Sequence, residues 1–154
     1  MRILPLAALA AATILAGAAG AAKLDPAAAI QARQAGMKQI GRNFKAINDQ
    51  MHGGAPDGQA IAAAAHALAE LAPRVPSWFP AGTGPDSGVK TAVKPEVWSQ
   101  APDFRAKAKA LALAARNLDA AAAKGGDPAA LQPLVQQLGG ACKACHTAYK
   151  AQDH

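Results

Sequence analysis

Between Ile30 and Met51 the side chains Ile30, Arg33, Met37, Ile40, Phe44, Ile47 and Met51 recur at alternating steps of three and four. An α-helix gathers such a series onto one face, and a stripe this long must be covered by a partner. The same period returns three times. A second segment starts at Asp57, carries Ile61, Ala65, Leu68, Ala72 and Val75, and stops at Pro73 and Pro76. A third begins near Pro102-Asp103 and reads Phe104, Ala108, Leu111, Ala115, Leu118 and Ala122 before Gly125-Gly126. A fourth opens on Asp127-Pro128 and aligns Leu131, Leu134, Leu138, Cys142, Cys145 and Tyr149. Asp25-Pro26 and Asp127-Pro128 both set an N-cap before a proline at the first helical position, where the missing N–H costs nothing. Pro133 either splits the first turn from the fourth helix or kinks it.

Four amphipathic helices with two tight links and one long one predict an all-α, antiparallel four-helix bundle in up-down-up-down order. Composition agrees. Aromatic residues make up 4 % of the chain and the apolar fraction is 51 %, much of it alanine, which favours helix over sheet. The long link, Ser77 to Gln100, is expected to be functional or to wrap something, with Trp78, Phe79 and Trp98 pinning it to the core.

The N-terminus reads as an export signal. Arg2 precedes an uncharged Ala/Leu-rich run, Ile3 to Ala16, and Ala19-Gly20-Ala21 offers a small-x-small cleavage site. Residues 1–21 are therefore expected to be removed, leaving a single domain over 22–154 that meets a membrane only during export. The net charge of +6 falls by one without Arg2. The basic residues are spread singly along helix faces, which argues against nucleic acid and for an acidic protein partner.

The chemistry sits in Cys142-Lys143-Ala144-Cys145-His146, which holds the only two cysteines. In C-x-x-C-H, two thiols can add to the vinyl groups of one heme while the histidine takes the iron. Cys142 and His146 stand one helical turn apart and can share a face. A helical i, i+3 disulfide is geometrically poor, and no strand precedes the motif as a thioredoxin-like pair requires. A zinc site would need completion by His52, His66 or His154, which otherwise read as surface or helix-end residues.

A C-x-x-C-H near the C-terminus of an exported four-helix bundle resembles the class II cytochromes c, the cytochrome c′ family. The likeness spans nearly all of the mature chain. It takes in Arg33-x-x-x-Met37, Trp78-Phe79-Pro80, Val93-Lys94-Pro95-Glu96-Val97-Trp98 and the ending Tyr149-Lys150, where the family more often has arginine. Cytochromes c′ are themselves a standard instance of this bundle, so fold and family are not independent inferences. The resemblance implies one covalent heme c on Cys142 and Cys145, near the C-terminal end of the fourth helix, with His146 as axial ligand.

No methionine follows the motif, so a methionine ligand must come from upstream, from Met37 or Met51. The first and fourth helices run antiparallel, which sets His146 level with the early part of the first. Met37 lies about 16 Å along that helix and Met51 about 37 Å, so only Met37 can reach the iron. In the family a residue here either binds the iron, in the low-spin branch, or blocks the sixth site. Met37-Lys38-Gln39-Ile40-Gly41-Arg42-Asn43 is more similar to the low-spin branch. Arg33, on the same inward stripe, either sends its charge to solvent or meets a heme propionate, as the family implies. The resulting expectation is a periplasmic one-electron carrier and not an enzyme. It would dock acidic redox partners through Lys94, Lys143 and Lys150. The alternative is a high-spin protein that binds nitric oxide or carbon monoxide. The family also implies a homodimer through the first two helices.

Overall fold

The computed structural model describes residues 24–125 and 127–151. Asp25 caps α1 (Pro26–His52), its carboxylate accepting the Ala27 N–H at 2.9 Å. Asp57 does the same for α2 (Gly58–Leu71) from Gln59 and Ala60, and Asp127 for α5 (Pro128–Tyr149) from Ala129. Each such cap contributes about 1 kcal/mol by satisfying helix N–H groups that have no partner within the helix. Between them lie a 3-10 stretch (Ala72–Trp78), a single 3-10 turn (Pro85–Ser87), the four-residue α3 (Glu96–Ser99) and α4 (Ala101–Ala122).

α1, α2, α4 and α5 form the four-helix bundle. α1 packs on α2, α2 on α4 and α4 on α5, whereas α1 and α5 touch over a much shorter stretch. The residues expected inward on the second and third stripes are buried throughout, from Ile61 to Val75 and from Phe104 to Ala122. On α1, Ile30, Arg33, Ile40 and Ile47 are buried, while Met37, Phe44 and Met51 are half-buried against the core. Two expectations are refined. The second helix loses α geometry at Ala72, because Pro73 and Pro76 lack N–H groups and the chain tightens into 3-10 turns. α5 runs unbroken through Pro133, packed along α4, and Val135 joins Leu131 and Leu138 in its buried row.

The segment 1–21 lies outside the described residues. None of the described helices is long and apolar enough to cross a membrane.

Candidate heme site

α1 and α5 meet closely where Gly139 faces Phe44: a Cβ on Gly139 would lie 3.1 Å from the ring's Cζ. Because the helices are antiparallel, seven residues from that contact on each brings Met37 opposite His146. There the helices are held apart, and a cavity of about 220 Å³ opens between them. α1 supplies Arg33, Gln34 and Met37. α5 supplies Cys145, His146 and Tyr149, and Lys150 follows directly after its end. The link contributes Phe79 and Thr91–Val93, and α4 contributes Phe104. Four of the five residues singled out in the sequence thus share one cavity. The fifth, Cys142, stands one turn before His146, half-buried against the core rather than on the cavity wall.

The two cysteines are unpaired, and burial pushes both thiols above their ordinary pKa. A redox-active C-x-x-C pair needs the reverse shift. Among the described residues no three side chains of the His, Cys, Asp and Glu types cluster as metal ligands. His66 instead faces Asp119 at 3.4 Å, and His52 contacts the Asn48 carbonyl at 2.8 Å. His146 is held below its usual pKa, first by burial and then by the charge of Lys150, which favours the neutral imidazole that binds iron.

Arg33 does not snorkel. It is 2 % exposed and donates to Thr83 Oγ1 at 3.0 Å, the Thr83 carbonyl at 3.1 Å and Thr91 Oγ1 at 2.9 Å. Its guanidinium carbon lies 4.9 Å from the Phe79 ring centroid. Burial depresses its pKa, and none of the ion pairs among the described residues involves it. A desolvated cation on the wall of an otherwise largely apolar cavity fits a planar apolar group that bears carboxylates, as heme does.

The last turn of α5 is tied down on several sides. The Lys94 N–H donates to the Tyr149 carbonyl at 3.0 Å and the Ala151 N–H to the Ala92 carbonyl at 2.7 Å, making an isolated bridge of Val93 with Lys150. The Tyr149 hydroxyl donates to the Asp103 carboxylate in the first turn of α4. The phenol is pushed up to about 12, by burial and then by Asp103, while the bond from Tyr149 and that from Lys107 draw the Asp103 carboxyl down. Sequence reasoning missed Thr83, Thr91 and Asp103, since single polar residues in a link or a first turn carry no period.

A family model described as Cytochrome C′ matches residues 28–150. The chain belongs to the cytochrome c′ family. It is a c-type cytochrome, and its cofactor is one covalent heme c. Among its relatives, the cytochrome c′ of Rubrivivax gelatinosus is 39 % identical over 126 residues, covering 81 % of this chain and 95 % of that protein. A cytochrome c′ crystallised with an unusual ligand-controlled dimer dissociation superposes with a TM-score of 0.78 at 32 % identity. That match covers 85 % of this chain and all of the other. The nitric oxide complex of a mutant cytochrome c′ from Alcaligenes xylosoxidans gives 0.74 at 30 % identity, covering 84 % and 98 %.

Proposed function

We propose that this cytochrome is a periplasmic one-electron carrier in which Cys142 and Cys145 tether the heme, His146 binds the iron from α5 and Met37 binds it from α1. The observation that carries the reading is the cavity itself, with His146 and Met37 on its two facing helices and a buried, carboxylate-free Arg33 beside them. Heme supplies the ferric/ferrous couple. His146 would offer it a neutral ring nitrogen, the Met37 thioether would favour the reduced state, and Arg33 would balance a propionate. Phe79, Val93 and Phe104 exclude water, which limits reorganisation around a change of charge. A thioether, a cation and aromatic rings hold and tune a cofactor; they are not a nucleophile with its base, so the reading is a carrier and not an enzyme.

The intact mass of protein recovered from the periplasm tests attachment and export together. It should equal a chain beginning at Ala22 or Lys23 plus one heme, with a pyridine hemochrome spectrum for two thioether bonds. A full-length chain without heme, recovered from membranes, would overturn both claims.

Lys150 lies on the cavity wall, Lys94 Nζ sits 3.4 Å from the Thr147 carbonyl beside His146, and Lys143 is exposed between the two cysteines. This basic rim supports docking of acidic redox partners. Electron transfer to such a partner should slow several-fold as ionic strength rises through the physiological range, because the Debye length shrinks below about 10 Å. A stopped-flow rate indifferent to salt would remove the rim from the docking face.

A second reading is capture of nitric oxide or carbon monoxide, with Met37 only a distal wall. It is favoured by the Alcaligenes xylosoxidans relative, a nitric oxide complex. The dimer-forming relative supports self-association here too, through the alanine-rich outer faces of α1 and α2.

A further inference from the structure

Tyr149 is the only tyrosine in the chain, and its position gives it more to do than fill the core. It is 4 % exposed and lines the heme cavity. It stands three residues beyond His146, about 4.5 Å further along the same helix. Its ring meets the Phe104 edge at 5.3 Å between centroids, and Phe104 in turn meets Phe79 at 4.9 Å, so the phenol is fixed on its apolar side. On its polar side the hydroxyl donates to Asp103 Oδ2. Asp103 is half-exposed and paired with Lys107 at 3.2 Å. Asp103 is not spent on capping α4, whose N-terminus has no side-chain cap. A phenol between a heme pocket and a surface carboxylate has what one-electron oxidation of tyrosine requires: a nearby electron acceptor and a base already hydrogen-bonded to the phenolic proton.

We infer that Tyr149 is a proton-coupled electron donor that drains an oxidising equivalent from the heme pocket to the protein surface through Asp103. The oxidant is a hydroperoxide. Displacing Met37 at a bound heme, it would take two electrons from the heme centre and two protons from solvent, break its O–O bond and leave as one water plus a second water or an alcohol. One of the two electrons would be returned to the heme centre from the Tyr149 ring and the other by the redox partner that the carrier serves. As the electron leaves Tyr149, the O–H bond breaks and its proton passes to Asp103 Oδ2. The products are a neutral phenoxyl radical and a carboxylic acid, and Asp103, being open to solvent, then releases the proton. The inference rests on heme occupying the cavity, and the hemochrome and mass measurements establish that separately.

The test uses the ferric holoprotein and its Met37→Ala variant, which opens the iron directly, each mixed with one equivalent of hydrogen peroxide and frozen within seconds for electron paramagnetic resonance. A phenoxyl signal is expected, and its hyperfine structure should collapse in protein made with ring-deuterated tyrosine. Because there is one tyrosine, the signal needs no further assignment. Tyr149→Phe keeps the ring stack and should abolish the signal. Asp103→Asn removes the base and should lower its yield at least several-fold, with the helical circular dichroism unchanged in both. A radical that survives Tyr149→Phe, whether on Trp78, Trp98 or the heme centre, would overturn the proposal. So would a heme that reacts with peroxide without a phenoxyl signal, a yield indifferent to Asp103→Asn, or a heme that peroxide leaves unchanged even in Met37→Ala.

Discussion

Replacing Met37 by alanine should turn a low-spin ferric protein into a high-spin one that binds carbon monoxide readily once reduced. Met37 sits across the cavity from His146, and the α1 backbone that carries it is anchored independently, by Arg33 on one side and Phe44 against Gly139 on the other. Loss of the thioether should therefore empty one coordination position without moving the helix. The weak near-infrared sulfur-to-iron band should vanish. The reduction potential should fall, since the thioether favours ferrous iron. Truncating a buried methionine costs about 2–5 kcal/mol; Met37 is only half-buried, so the low end applies and the bundle stays folded. Optical spectra of the two ferric proteins, with and without the substitution, decide the matter. An unmutated protein that is already high-spin and takes carbon monoxide would make Met37 a distal wall and gas capture the leading function.

The second large effect is expected at Arg33. A buried guanidinium with no anion is a net cost, and an apolar side chain of similar length in its place should leave stability unchanged or raise it. A buried guanidinium that neutralises a heme propionate behaves oppositely, because its removal strands the partner charge. Breaking such a pair costs about 3–5 kcal/mol. Arg33→Met in the holoprotein is therefore expected to lose about 3 kcal/mol or more in urea unfolding. It also unhooks the link at Thr83 and Thr91. The potential should fall as well, because a positive charge near the iron favours the form with one more electron. Equal or higher stability would show that no propionate meets Arg33.

Much of this site was legible because helical period and covalent chemistry are local. The stripe on α1 placed Arg33 and Met37 on one face, and C-x-x-C-H marked the end of α5 where Cys145 and His146 line the cavity. The antiparallel order then set Met37, not Met51, level with His146. What escaped was decided by contacts distant in sequence. Thr83 and Thr91 meet Arg33 from 50 and 58 positions away, and Asp103 meets Tyr149 across 46. Pro133 left two readings open for a different reason. A proline's local penalty allowed a split first turn or a kink, and α5 stays continuous through it because packing along α4 outweighs one missing hydrogen bond. The four-residue α3 is too short to show a period at all.

Gly36 precedes Met37, and a Cβ there would fall 2.6–2.8 Å from three atoms of the Trp78 indole. The ring occupies the place of a side chain, so α1 cannot take even an alanine at this point without displacing the tryptophan. Nor can it turn about its axis or slide along it by a residue. The backbone at position 37 is thus a fixed mount on which different side chains can be exchanged. Under the proposed ligation, a thioether on that mount makes an electron carrier and an inert hydrocarbon makes a gas trap. One codon then separates two physiologies, with no redesign of the scaffold between them.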